Sequence, residues 1–271
     1  MPHTDIITST HNSRFKELRR LRRRRERERT LRFVVEGEDL VAAAHRAGRP
    51  AIEGYRATGT TTRDAATSDA PAGTADFLEV EPTVLAELSS LGSGTRVIGV
   101  YEQRFLDTPV GPLCVYLHGL ADPGNVGTIL RAAEAFGASC VALGPDCADP
   151  HSPKAVRASM GAIFSVPLAR ANMVSELPGE RVALVARAGR SLHELEVKQP
   201  LTLLIGAERE GLPQEIVNAC EQTAHIPIRS ESLNAAMAAT IGLYEMSDLE
   251  KRGARLAGLR PAAPPSRVPS R

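Results

Sequence analysis

The sequence predicts an α/β protein built on a mainly parallel sheet with helices on both faces, preceded by a small α/β unit. Two observations carry that reading. From residue 113 onward, short apolar runs alternate with segments of helical period, the pattern of a parallel sheet with crossover helices. The stretches richest in glycine and polar residues follow the apolar runs, where open parallel sheets hold their ligands. A length of 271 residues suffices for one large or two modest domains, and 42% hydrophobic against 24% charged residues is an ordinary globular balance. No apolar run approaches the roughly 20 residues of a membrane span, and the N-terminus lacks the apolar segment of a secretory signal. A cytoplasmic protein, with no membrane partner, is expected.

Taken in order, residues 12–29 form a helix. Asn12 or Ser13 can cap it, and Phe15, Leu18 and Leu21 give a narrow apolar stripe. The rest is arginine, at 19, 20, 22, 23, 24, 25, 27 and 29. A guanidinium is a planar fork suited to phosphate, so Arg19, Arg20, Arg22, Arg23 and Arg24 are candidate nucleic-acid contacts. Without interleaved aromatics they would position a nucleic acid rather than stack on its bases. Residues 1–32 carry +7 and residues 251–271 carry +6, leaving 33–250 at −12 within a whole-chain +1. Two basic ends on an acidic middle suggest a polyanionic partner.

A strand at 31–35, a helix at 36–47, a flexible Thr/Ala/Asp/Gly-rich loop at 57–76, a strand at 77–80, a helix at 82–90 and a strand at 97–100 complete the first unit. Residues 105–112, with two prolines and a glycine, mark the boundary, giving domains 1–106 and 107–250. In the second domain strands are expected at 113–117, 140–143, 162–166, 182–186, 201–205 and 224–228. Helices are expected at 125–136, 153–161, 213–220 and 232–250, with a weaker one at 171–177. Arginine and proline from 251 to 271 read as a disordered tail. Cys114, Cys140, Cys147 and Cys220 form no Cys-x-x-Cys pair, and His118, His151 and His225 are not at metal-ligand spacing to them, so no metal is expected.

Three stretches carry the chemistry. The first is Asn125-Val126-Gly127-Thr128-Ile129-Leu130-Arg131, a helix whose apolar face leaves Thr128 and Arg131 on the other side. The second is Gly206-Ala207-Glu208-Arg209-Glu210-Gly211, a glycine and an acid at a strand end. It lacks the Lys-Ser/Thr of a phosphate loop, and no Gly-x-Gly-x-x-Gly occurs. The third is Ile226-Pro227 with Ser232-Leu233-Asn234, a proline-stopped strand leading into a helix along which Leu233, Met237, Ile241 and Tyr244 recur. Ser232 or Asn234 can cap that helix.

In this order the three resemble the signature motifs of the SpoU/TrmH-type RNA ribose 2′-O-methyltransferases of the SPOUT superfamily. The loop between Pro227 and Ser232 is shorter than the family's usual one. The resemblance implies a trefoil-knotted catalytic domain, S-adenosylmethionine held in the knot, and a homodimer whose active sites draw on both chains. It implies that Gly206, Ile226 and Leu233 hold the cofactor's adenosine, and that Asn125, Arg131, Glu208, Ser232 and Asn234 line the reaction centre. Arg131 would clamp the neighbouring phosphate and polarise the 2′-hydroxyl, or, as the alternative, take its proton. A guanidinium holds its proton too tightly to make a ready base, which argues for the clamp. The basic front through Glu36-Gly37 resembles the substrate-binding domain that many bacterial members carry. Ribosomal RNA, 23S in particular, is favoured over transfer RNA as substrate. A transfer-RNA enzyme and a non-catalytic RNA-binding protein of the same fold are the alternatives; the latter should lack one of Asn125, Arg131 or Asn234, and all are present.

Overall fold

The structure, a computed structural model, describes residues 6–59, 73–90, 94–229 and 232–256, with side chains to 247. Most of the expected loop at 57–76 and of the tail at 251–271 lies outside the described residues. The first unit contains α1 (Phe15–Leu21), α2 (Arg24–Thr30), β1 (Arg32–Glu36), α3 (Glu38–Arg46), β2 (Glu53–Ala57), β3 (Leu78–Val80), α4 (Pro82–Leu88) and β4 (Val97–Glu102). Its four-stranded sheet has the order β1-β4-β2-β3, with only β2 and β3 paired in parallel.

The second unit contains β5 (Leu113–Leu117), α5 (Pro123–Ala135), β6 (Cys140–Leu143), α6 (Pro153–Ala158), α7 (Ala162–Ser165), β7 (Leu168–Arg170), β8 (Glu180–Val185), β9 (Arg190–Ser191), β10 (Leu201–Ile205), α8 (Gln214–Asn218), β11 (Gln222–His225) and α9 (Ala235–Leu256). Its strands pair in parallel in the order β7-β6-β5-β10-β8-β11-β9. β5 and β10 are buried at every position, as strands covered on both faces must be.

Several elements depart from the sequence reading, each for a physical reason. The single arginine helix is two helices, broken at Arg23, whose backbone is extended (φ −90°, ψ 131°). Arg27 stabilises the break by donating to the carbonyls of Leu21 and Arg22 at 2.8 Å. The apolar run at 162–166 is helical, not a strand. Gly161 in the left-handed region (φ 103°) turns the chain into α7 so that Phe164 meets Phe33 and Tyr101 at 5.9 and 5.1 Å. β7 follows it instead. β11 ends at His225, because Pro227 has no N–H to extend the ladder, and Ile226 to Ile228 leave the sheet. β2 carries little strand signal, since Gly54 interrupts it. A Cβ there would lie 2.3 Å from the ring of Phe77.

The stripe expected on the last helix is not its packed face. Met237, Ile241 and Tyr244 are exposed, whereas Ala235, Ala236, Ala239, Leu243 and Met246 are buried. The helix comes closest to the sheet at Gly242, where a Cβ would lie 2.5 Å from Leu203 of β10, and Leu243 and Met246 fill the core beside the alanines. The helix also runs to Leu256, past the expected end at 250.

A single core cluster spans the two units, running from Phe33, Val35, Leu40, Val97 and Tyr101 through Ile163 and Phe164 to β5 and β10. The connecting segment is anchored as well. Leu106 N–H donates to Leu168 O at 2.7 Å, and the Arg170 guanidinium lies 4.7 Å over the ring of Phe105.

Candidate active site

The first motif is built by its helix start. Asp122 caps α5, accepting from Gly124 N–H at 2.7 Å, with Pro123 at the first helical position. The Lys154 ammonium, 2.7 Å away, and that Gly124 bond hold the Asp122 carboxyl below the usual carboxylate range. Asp-Pro before an apolar helix was the available signal, and it places the start at Pro123 rather than 125. Gly127 lets α6 close in, since a Cβ there would lie 2.3 Å from the carbonyl oxygen of Ala155.

A chain of hydrogen bonds joins the three motifs. Asn125 Nδ2 donates to Glu208 Oε1 at 2.7 Å, and Asn234 Nδ2 donates to Asn125 Oδ1 at 3.2 Å. Asn234 Oδ1 accepts from the backbone of Ala236 and Met237 at 3.0 and 3.2 Å, so Asn234 caps α9. The direction follows from the ends. A carboxylate only accepts and helix-start amides only donate, so each amide group between them has one orientation that satisfies both neighbours.

Beside this chain, between the loops after β8, β10 and β11, lies a pocket of about 280 Å³. Gly206, Glu208, Ile226, Ser232 and Leu233 line it, so the structure groups these five expected residues. Ser230 and Glu231, in the short loop, lie outside the described residues. Leu184, Ile205, Ile228 and Ala238 add an apolar wall whose contribution no motif announced. The Gly206 loop closes on itself through paired bonds between Ala207 and Gly211 at 3.1 and 3.0 Å. A Cβ on Gly206 would lie 2.2 Å from the Gly211 carbonyl carbon, so the chain's own loop already demands glycine there.

Arg131 does not line the pocket. It stands six residues beyond Asn125, roughly 9 Å along the helix axis by the α-helical rise. Its side chain is exposed and makes no hydrogen bond or ion pair among the described residues, while Glu134 accepts a short bond from Ser165. Of the front arginines, Arg19 donates to Thr10 O, Arg22 to Leu88 O and Arg24 to Glu28. Arg20 and Arg23 make no such bond among the described residues. Arg27, only 4% exposed, is buried against Asp149, a placement that no arginine-rich sequence run reveals.

Comparison with known proteins identifies the class. The SpoU rRNA methylase family matches residues 112–244, and an MRM3-like substrate-binding domain matches residues 12–99. An uncharacterised tRNA/rRNA methyltransferase of Synechocystis is 30% identical over 252 residues, covering 88% of this chain and 92% of its own. The 23S rRNA (guanosine(2553)-2′-O)-methyltransferase RlmP of Bacillus subtilis is 28% identical over 248 residues, covering 89% and 98%. The AdoMet-bound rRNA methyltransferase of Sinorhizobium meliloti superposes with a TM-score of 0.77 at 32% identity, covering 91% of this chain and 98% of the other. The chain belongs to the SpoU methyltransferase family.

Proposed function

We propose that this chain is an S-adenosylmethionine-dependent methyltransferase acting on a ribose 2′-hydroxyl of 23S ribosomal RNA, as a cytoplasmic homodimer. The observation that carries the reading is the Glu208–Asn125–Asn234 chain at the edge of the pocket, which ties the three family motifs into one polar site. The pocket suits the cofactor chemically. Its apolar wall of Leu184, Ile205, Ile226 and Leu233 fits a purine, and the nearby Glu208 carboxylate suits a cationic sulfonium. Bound there, the cofactor would supply an electrophilic methyl group for in-line displacement.

The residues of the chain would then hold the cofactor and align the hydroxyl, whose proton would pass to solvent as the methyl is transferred. Gly206, Ile226 and Leu233 hold the adenosine from the pocket wall. Glu208, fixed by Asn125, and Ser232 face the reaction centre, while Asn234 keeps α9 capped beside it. Arg131 clamps the phosphate next to the reacting ribose and polarises its hydroxyl. Its position away from its own pocket suits delivery to the partner's site in a homodimer. The exposed Met237, Ile241 and Tyr244 supply the apolar face such a dimer needs. Contacts at both ends, Asn125 with Asn234 and Phe136 with Tyr244 (5.8 Å between rings), set α5 and α9 side by side under that face. The front unit, 1–106, presents arginines to the RNA, and the family's trefoil knot is the proposed path of the segment from β10 into α9. Four free thiols suit a reducing cytoplasm.

The test is methylation of 23S and transfer RNA with labelled cofactor, followed by nucleoside analysis of the product. Label should appear as 2′-O-methylribose in 23S RNA. Label on a base, or on transfer RNA alone, refutes the substrate reading. Arg131→Ala should lower single-turnover methylation by about 10²-fold or more at unchanged cofactor affinity, since a misplaced nucleophile loses that much. Arg131→Lys should restore little of it, because lysine keeps the charge and loses the fork.

A further inference from the structure

We propose that Arg27 and Asp149 are positioning residues for methyl transfer: a buried ion pair through which the arginine-rich front helix sets the placement of α5, the helix of Asn125 and Arg131. The inference rests on the functional reading above. Their side chains are only 5% and 9% exposed, unlike the surface pairs of this chain. Arg27 Nε and Nη2 both lie 2.7 Å from Asp149 Oδ2. Its Nη1 holds the carbonyls of Leu21 and Arg22. One guanidinium thus closes the break between α1 and α2 while gripping the loop after β6. Arg24 adds a longer bond to Cys147 O at 3.5 Å.

The grip continues to the site by direct contact. Asp149 Oδ1 accepts from His151 N–H at 2.8 Å, and the His151 ring lies 4.7 Å from that of Phe33 in β1 and 5.4 Å from that of Phe105. The Asp149 carbonyl accepts from Ser152 N–H at 3.1 Å, and Ser152 caps α6. α6 then meets α5 twice, backbone to backbone at Gly127 and through Lys154 on the cap Asp122. A nucleic acid held by the arginines of α1, α2 and the break between them is thereby placed in the same frame as the reacting groups. Displacement of such groups by ~1 Å can cost ~10²-fold in rate, so the frame matters.

The test uses the full chain with Arg27→Lys, Asp149→Asn, both together, and the apolar pair Arg27→Met with Asp149→Leu. The last leaves no unpaired buried charge, the loss that most endangers folding. Single-turnover methylation of 23S RNA, at saturating RNA and cofactor, is measured per cofactor-binding site counted by calorimetry. Amide hydrogen exchange is followed in parallel. Each variant should lose about tenfold or more in rate per competent site while cofactor affinity stays within about twofold. The Arg27→Lys/Asp149→Asn pair should lose no more than the worse single change, as expected of one shared contact. Amides 124–131 should exchange about tenfold faster while those of β10 hold, the signature of local loosening. Parent-like rates in the folded variants overturn the proposal, as does a uniform rise in exchange, which marks mere destabilisation. A parent chain that methylates no RNA overturns the functional reading instead, and the exchange pattern then still decides this one.

Discussion

Asn125 sits where two hydrogen bonds meet, and its loss should separate shape from chemistry. Asn125→Ala removes both bonds from a partly exposed position, so stability should fall by only about 1–2 kcal/mol. Methyl transfer should fall far more, since Glu208 and Asn234 lose their common tether; urea unfolding beside single-turnover kinetics measures both. Gly206→Ala behaves in the opposite sense. Its methyl would collide with backbone at Gly211 and Leu212, so melting temperature and cofactor affinity should drop together. A variant as stable as the parent would show that the loop yields. The motif residues were legible as residue types at known spacings, but their wiring was not. Glu208 and Asn125 are 83 positions apart, and Asn234 and Asn125 are 109, so only the folded sheet reveals which amide meets which carboxylate.

Helix α9 carries two faces of different character, and sequence period alone picks the wrong one for packing. Met237, Ile241 and Tyr244 recur at helical spacing, yet the core takes Ala235, Ala236, Ala239, Leu243 and Met246, and Gly242 faces Leu203 at close approach. The leftover face is the proposed contact with a second copy. Ile241→Glu with Tyr244→Glu should leave the monomer folded, as both are exposed, while sedimentation shifts from dimer toward monomer. Activity should fall with the dimer if Arg131 serves the partner's pocket, and unchanged sedimentation would remove this face from the interface. Strands buried on both sides, 113–117, 140–143 and 201–205, were readable as continuous apolar runs. The run at 162–166 was not, since four or five apolar residues suit a buried helix turn as well as a strand, and the rings of Phe33 and Tyr101 decided it.

The two sheets share a core, and a buried histidine at their junction makes that junction sensitive to acid. Burial pushes the His151 ring down to about 4; the Asp149 carboxylate pulls it back up, while Arg170, Arg27 and Arg49 add to the fall. The unfolded chain, with an ordinary imidazole near 6.5, therefore binds the proton more readily between those values. Stability from this group is full above about pH 6.5 and lost as pH falls toward 4, on the order of 3 kcal/mol in all. Unfolding at pH 7.5 and 5 should show more than half of that loss in the parent and much less in His151→Gln; equal losses would place the sensitivity elsewhere. The position of β10 has a consequence in time. It lies between β5 and β8, yet its residues, 201–205, are made after both. Until the ribosome has released them, the two flanking strands have open edges facing a gap, with no partner between them. During its own synthesis, then, this chain must keep an unzipped edge from pairing with a neighbour while the residues between β5 and β10 are made, and a late-arriving strand closes it.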